Sequence, residues 1–562
     1  MPTSGFVDTV TKPPARERYL AEGLWTAETF AARFAQQAAA HPDRIAVIDR
    51  EGSRRTTYAR LNADAAAGAA LLRACGVGVG DVVSVQLPNW YETAVVSVAA
   101  HSVGAVVNPL LPAYRVRELG HVLRTARPKV WFSPGIYRGF DYRALAAEVI
   151  QECGGDTCHV VVDDECDGGD VGLVGYLAKH SVPGMAVAPA DIGADAVSEI
   201  IFTSGTEAIP KGVLHTDQTA GFSMRVAYRD LELSERDVVW MPSPVGHSTG
   251  YNYGLRFALY HGLPLVLQDR WSPPTAVDLI QAESCSYTLA ATTFLQDVIG
   301  ECARRGAQLE SMRCFCCGGA PVPAELVAAG RGYGLQVLRL YGSTEGLVVT
   351  VNRPGGVAEK HLHTDGLAMS DVELDVRDEH GRRCPAGTPG EIYLRGPDVC
   401  VGFYQDRQRT AAAFTADGWL RSGDLGRLDE DGYVSIVGRK KEIIIRGGLN
   451  IAPREVEDLL LTFPEVDRVA IIGLPDERLG ERCCACVVLR EGFTLDFEHM
   501  VSRLRATGLA VYKLPERLVL FDQLPVTPSG KIQKYVIVAG LTDKDQPPPV
   551  VVSDGNAVAE PI

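Results

Sequence analysis

The segment Ile201-Phe202-Thr203-Ser204-Gly205-Thr206-Glu207-Ala208-Ile209-Pro210-Lys211-Gly212-Val213 packs hydroxyls, a glycine and one lysine into a single turn after an apolar run. Those are the groups a polyphosphate needs. Backbone N–H groups and the hydroxyls of Thr203, Ser204 and Thr206 can donate to phosphate oxygens around Gly205, while Lys211 adds a point charge that follows them as they move. The loop is not of the Walker type, in which Gly precedes the lysine and Ser or Thr follows it. Here Pro210 precedes Lys211 and Gly212 follows. Taken alone, the segment could equally be an ordinary polar loop.

A second constellation belongs to another chemistry. Gly246-His247-Ser248-Thr249-Gly250 matches G-x-S-x-G, the nucleophile elbow of serine hydrolases and acyltransferases. An elbow needs a strand running directly into its serine, and Pro242 and Pro244 interrupt that approach. His361 and His363 are available as bases, but a chain of this length always offers some.

Four further segments follow the first loop: Tyr341-Gly342-Ser343-Thr344-Glu345-Gly346, Gly418-Trp419-Leu420-Arg421-Ser422-Gly423-Asp424, Gly438-Arg439-Lys440-Lys441 and Pro528-Ser529-Gly530-Lys531. In this order the five motifs resemble those of the adenylate-forming acyl-CoA and aryl-CoA ligases, over a span from the early forties to about residue 540. The resemblance implies a two-step reaction. A carboxylate is a poor electrophile, so it first attacks the α-phosphate of ATP to give an acyl-adenylate, which a thiol then opens.

The same resemblance implies the site residues. Glu345 is the expected Mg²⁺ ligand, a carboxylate that completes a shell of phosphate oxygens. Thr344 is expected at the α-phosphate, with Gly342 and Ser343 in the same turn. Asp424 would accept from both ribose hydroxyls, assisted by Arg439. Gly318, Gly319, Ala320 and Pro321 allow close approach of a flat adenine, on which Tyr341 stacks. Lys531, exposed and mobile at the tip of its turn, would stand between the attacking carboxylate and the α-phosphate. For thioester formation, Lys441 is the implied hinge, and Gly447 and Gly448 line a pantetheine tunnel. His247 is the implied gate between acyl and pantetheine sites.

Two points distinguish this chain from relatives. Glu207-Ala208 replaces a common Thr-Gly, and a carboxylate near triphosphate is repulsive unless it faces Mg²⁺ or solvent. The loop is expected to work, with ATP affinity the property at stake. Ser248 stands where dihydroxybenzoate-activating relatives carry an asparagine. The implied acyl pocket comprises His247, Ser248, Tyr251, Thr292, Phe294, Gly318, Gly342 and Leu347. Several are small or apolar, which favours an aromatic or alicyclic ring acid, such as a substituted benzoate or naphthoate, over a long fatty chain. The expected co-substrates are ATP, Mg²⁺ and free CoA, with a carrier-protein pantetheine as the alternative acceptor.

These residues need a frame to hold them. A chain of 562 residues is more than one core usually organises, and 46% hydrophobic with 22% charged residues is a globular composition. Short β-branched runs (Val82 to Gln86, Glu199 to Phe202, Leu335 to Leu340) alternate with Ala-rich helical patterns (Tyr58 to Ala74, Pro323 to Ala329). That alternation predicts layered α/β subdomains. Around Gly387 to Val437 the texture turns to short strands, with Asp429-Glu430-Asp431-Gly432 as a hairpin turn, and predicts a small β-barrel. A small mobile α+β domain follows. The expected boundaries are 1–438 for the large domain with the ATP and acyl sites, 439–541 for the small one, and 542–562 for a disordered tail.

A net charge of −15 disfavours nucleic acid or an anionic membrane as partner. The one membrane-like stretch, Thr93 to Leu111, is interrupted by His101, Gly104, Asn108 and Pro109, and predicts a buried helix running into a strand rather than a span. The N-terminus shows no secretory pattern, so the expected compartment is the cytoplasm. Fourteen cysteines invite a metal or disulfide reading, but Cys314, Cys316 and Cys317, and Cys483, Cys484 and Cys486, sit in apolar strand-like runs and are expected as reduced thiols acting as small hydrophobes. Oligomeric state has no signal in the sequence.

Overall fold

The computed structural model describes residues 13–153, 157–162, 172–203, 210–446, 449–476, 478–527, 531–542 and 551–554. The chain divides into two compact units. One takes Met1–Gly319, Leu326–Leu374 and Leu394–Arg421, the other Ala320–Glu325, Asp375–Tyr393 and Ser422–Ile562. This differs from a single cut at 438, because the hairpin strands that precede that point make their contacts with later residues.

The first unit is built on two large sheets. In the seven-stranded sheet, Val106–Pro109, Val82–Val85, Val130–Pro134 and Cys158–Val162 run parallel. Their sequences are near-continuous apolar runs, as strands covered on both faces require. Val197–Thr203 joins this set in parallel, and Lys211–Thr216 returns antiparallel to it, so the polar loop between Thr203 and Lys211 is a strand-to-strand connection. Helix Tyr58–Ala74 packs on helix Tyr91–Ser102, where a Cβ on Gly68 would lie 3.2 Å from that of Ala99. The membrane-like stretch is this buried helix followed by the strand Val106–Pro109. No helix among the described residues is long and apolar enough to cross a membrane.

The nine-stranded sheet has a parallel core in the order Val337–Ser343, Cys314–Cys317, Tyr287–Ala290, Val239–Met241, Leu265–Leu267 and Ile45–Asp49. Leu347–Val351 then pairs antiparallel with Val337–Ser343. The segments after four adjacent parallel strands therefore leave the same edge: residues 344–346, 318–319, 291–294 and 242–248. The carboxyl ends of parallel strands are where open α/β sheets bind ligands.

Glu373–Arg377, Gly390–Arg395, Leu420–Leu428 and Val434–Arg439 form a four-stranded sheet in the region read as a small barrel, most of its residues in the second unit. A further sheet contains the long hairpin Val466–Asp476 and Gly480–Leu489, with Arg517–Leu520 parallel to the latter. Helix Pro453–Leu461 begins on proline, whose fixed φ suits a first turn, and packs on Val466–Asp476. Residues 551–554, inside the tail read as disordered, form a strand antiparallel to Arg517–Leu520. The cysteine triplets at 314–317 and 483–486 are buried in strands, and no disulfide joins the described cysteines.

Candidate active site

Thr203 ends its strand at the mouth of the polar loop, and its buried hydroxyl has no hydrogen-bond partner among the described residues. Ser204, Gly205, Thr206, Glu207 and Ala208 lie outside the described residues. Lys211 opens the returning strand. Its neighbour Gly212 is required by packing: a Cβ there would come within 2.9 Å of Ile200 and 3.2 Å of Phe202 and Tyr404.

Thr344, Glu345 and Gly346 form the tight turn between Val337–Ser343 and Leu347–Val351, with Ser343 opposite Leu347 and Gly342 opposite Val348. The reversal is narrow. A Cβ on Gly342 would meet the Leu347 carbonyl oxygen at 2.2 Å, and Leu347 adopts φ +53, an uncommon value for a branched residue. Held strain of this kind clusters at functional sites. Lys211 Nζ lies 2.5 Å from Glu345 Oε1, joining the strand after the polar loop to this turn. The motifs at 201–213 and 341–346 thus meet in space.

The remaining residues of the first unit separate into two groups. His247 caps the short helix Ser248–Gly250, with its Nδ1 accepting from the Thr249 N–H. Ser248 is buried and accepts from Asn252 Nδ2 at 3.5 Å. Thr292 and Phe294 start the helix after Tyr287–Ala290, and Phe294 stands edge-on to Trp271 at 4.5 Å. Gly318 is buried and Gly319 exposed directly after Cys314–Cys317, and Tyr341 is buried on the adjacent strand. Tyr251, expected in the pocket wall, is buried. Its hydroxyl lies 2.9 Å from His101 Nε2 and its ring faces Arg256, so it belongs to the buried core.

That core contains groups the sequence did not single out. Arg256, fully buried, donates to Glu199 at 2.8 Å and to Asp217 at 2.5 Å, and Asn252 Nδ2 donates to Glu199 at 2.9 Å. Asn252 and Arg256 sit on one π-helical stretch, Tyr251–Arg256, a distortion common at functional sites. No motif announces them, because an isolated Arg or Asn in an apolar run resembles any helix residue.

Ser248 does not have the surroundings of an elbow. The strand Val239–Met241 stops well before it, and its hydroxyl is engaged by an amide.

In the second unit, Asp424 and Arg439 are register partners on the hairpin Leu420–Leu428 and Val434–Arg439, and Arg439 Nε lies 3.0 Å from Asp424 Oδ1. The Asp424 N–H donates to Ser422 Oγ, whose hydroxyl donates on to the Ile392 carbonyl. Lys441 is the central residue of the 3₁₀ turn Lys440–Glu442. Gly447, Gly448 and Pro528 to Gly530 lie outside the described residues. Lys531 is half-buried rather than exposed: its N–H donates to Thr527 Oγ1 and its carbonyl accepts from the Thr527 N–H. Burial, and then the charge of Arg439, lower its amine to about 8, against the opposing pull of Glu442 and Asp424. Ala320 and Pro321 group with this unit.

The donor set suits a magnesium nucleotide. Glu345 offers a hard carboxylate beside a lysine, Thr203 offers a hydroxyl without a partner, and no cluster of three or more His, Cys, Asp or Glu competes as a metal site among the described residues.

The family model for the AMP-binding enzyme matches residues 34–404. The chain belongs to that family. The model for the AMP-binding enzyme C-terminal domain matches residues 455–531. Among relatives, this AMP-binding enzyme is 36% identical to the medium-chain fatty-acid–CoA ligase of Escherichia coli (strain K12), over 93% of its own length and 92% of the relative's. It is 32% identical to the 2-hydroxy-7-methoxy-5-methyl-1-naphthoate–CoA ligase of Streptomyces carzinostaticus, over 93% and 95%. The crystal structure of ATP-bound MatB from Rhodopseudomonas palustris superposes with TM-score 0.82 at 29% identity, covering 91% of this chain and 99% of that one. The AMP-binding enzyme described here is thus an ATP-dependent, AMP-forming acid–CoA ligase, with ATP, CoA and a small carboxylic acid as its substrates. The nucleophilic-serine alternative falls away.

Proposed function

We propose that this ligase activates a ring carboxylic acid, aromatic or alicyclic, and transfers it to free CoA in the cytoplasm, where both co-substrates are supplied. The observation that carries the acid class is the wall at Phe294. Its ring is held edge-on against Trp271, which is itself tilted against Trp240, and a packed aromatic cluster at the position expected for the pocket wall suits a flat substrate. A straight medium-length acid is the second reading, because the relative at 36% identity is named for medium-chain fatty acids. A carrier-protein pantetheine is the alternative acceptor.

In this proposal the chain's own groups divide the work. Thr203, the loop after it and Lys211 take the triphosphate, Tyr341, Gly318 and Gly319 with Ala320 and Pro321 take adenine, and Asp424, oriented by Arg439, takes the ribose. Glu345 would hold Mg²⁺, which when bound neutralises charge on the phosphates. Thr344 donates to the α-phosphate, and Lys531 aligns the carboxylate with it and offsets the charge that grows between them. A conformational change at Lys441 then separates adenylation from thiol attack, for which His247 opens the acyl site.

Acid-dependent ATP–pyrophosphate exchange across a panel of benzoates, naphthoates, cyclohexanecarboxylates and C6 to C12 straight acids, followed by CoA addition, tests the reading. Exchange with straight acids alone would overturn the ring assignment. Serine at 248 gives a second expected result. Ser248→Ala should shift acid preference and raise KM about tenfold for the acids whose ring substituents the hydroxyl meets, while AMP and pyrophosphate still form. Steady-state kinetics with three ring acids checks it, and equal loss with every acid would refute a role in the pocket wall.

The lowered amine of Lys531 predicts a pH dependence. The lysine acts as a cation, so its contribution is present below about 8 and lost as pH rises through that value. The kcat/KM for adenylation should therefore descend on the alkaline side, since that ratio reports the free enzyme. Lys531→Arg, which stays charged, should lack the descending limb even at a reduced rate.

A further inference from the structure

Lys211 and His215 lie four residues apart on one strand, so their side chains share a face, and both end on the Thr344–Gly346 turn. Lys211 grips the Glu345 carboxylate. His215 grips the backbone: its Nε2 lies 2.7 Å from the Thr344 carbonyl oxygen. A carbonyl can only accept, so Nε2 carries the proton. Burial lowers the His215 pKa, which leaves a neutral ring whose bare Nδ1 accepts from the Thr219 hydroxyl at 3.1 Å. Thr219 belongs to the capping box of helix Asp217–Asp230, so the Nδ1 side of the ring rests against the first turn of that helix. The next carbonyl, that of Glu345, accepts from the Cys400 N–H at 2.7 Å. Consecutive main-chain oxygens of the turn are thus tied to two different strands' surroundings, independently of the Lys211 ion pair.

That independence matters because Lys211 has two anionic partners to serve. When phosphate takes the lysine, the ion pair no longer holds the turn. We propose that His215 is a positioning residue for adenylation: by holding the Thr344 carbonyl, it keeps Thr344 and Glu345 in place while Lys211 moves from Glu345 to the triphosphate. The inference rests on the assignment of Thr344 to the α-phosphate and of Glu345 to Mg²⁺. Glutamine at 215 can place an amide N–H where the imidazole Nε2–H stands, whereas phenylalanine fills the space and leaves the carbonyl unmet.

The test compares His215→Phe with His215→Gln in the two half-reactions. Acid-dependent pyrophosphate exchange should fall about 30-fold in kcat for His215→Phe, with a several-fold higher Mg²⁺ requirement. His215→Gln should recover to within about threefold of the parent enzyme. Thioester formation from supplied acyl-adenylate and CoA should stay within about twofold in both, a split that general damage to the fold would not give. If His215→Phe does not fold, Thr219→Val carries the test: it removes the hydroxyl against Nδ1 and loosens the ring that holds the Thr344 carbonyl, and exchange should drop while the CoA step holds. Equal loss in the Phe and Gln variants, equal loss in both half-reactions, or an unchanged Mg²⁺ requirement overturns the proposal. Glu345→Ala reports the underlying assignment separately. An unaltered Mg²⁺ response there refutes the metal ligand itself, while an impaired Glu345→Ala beside a normal His215→Phe refutes the positioning role alone.

Discussion

Replacing Lys531 by alanine is expected to slow acyl-adenylate formation by about a thousandfold, equivalent to about 4 kcal/mol of transition-state stabilisation, and to leave thioester formation from supplied adenylate within about threefold. The reason is where charge develops. As the carboxylate attacks the α-phosphate, two anions are forced together, and a positioned ammonium is worth more there than in the ground state. Attack of a thiol on a finished adenylate expels AMP from a carbonyl and makes no such demand on this lysine. Its surroundings agree with that division of labour. The amine is half-buried, depressed to about 8, and feels the charges of Asp424 and Arg439, the pair assigned to the ribose. Pyrophosphate exchange and single-turnover thioesterification, measured on the same preparation, give the two rates. An equal fall in both would show that Lys531 supports the fold or the CoA step instead.

Much of the site was legible because its chemistry is local. The polar loop and the turn at 341–346 declare themselves by residue type and spacing, and the structure brings Lys211 to Glu345. The helix-then-strand reading of Thr93 to Leu111 follows from polar and proline residues that a lipid-facing segment would not carry, and the chain builds helix Tyr91–Ser102 and strand Val106–Pro109 there. What was not legible is non-local. His215 meets Thr344 across 129 residues and Arg256 meets Glu199 across 57, and a histidine after Leu214 or an arginine after Leu255 carries no mark of either contact. Tyr251, placed in the pocket wall by the resemblance alone, sits where the helix widens into a π turn, a local feature that no residue type marks. Lys531 was read as exposed because Pro-Ser-Gly-Lys is a surface sequence by composition; its backbone is tied to Thr527 by two hydrogen bonds that the sequence does not announce.

Substituting Lys441 by proline should give the converse of the Lys531 result: adenylation retained within about fivefold and thioester formation reduced about a hundredfold or more. Lys441 lies inside the 3₁₀ turn Lys440–Glu442, and the backbone of such a turn falls in the φ range that proline fixes. Proline is therefore compatible with this arrangement and hostile to one in which φ at 441 must change. It also confines Lys440, the residue before it. The arrangement so trapped is one in which Lys531 senses Asp424 and Arg439, the neighbourhood that the proposed adenylation role calls for. Lys441→Ala separates the effects, since it removes the same side chain while leaving φ free, and should keep both half-reactions near normal. Loss in the alanine variant equal to that in the proline variant would assign the effect to the ammonium group. Full CoA ligation by Lys441→Pro would place the pivot elsewhere in the chain, and with it the step that exchanges Lys531 for the thiol.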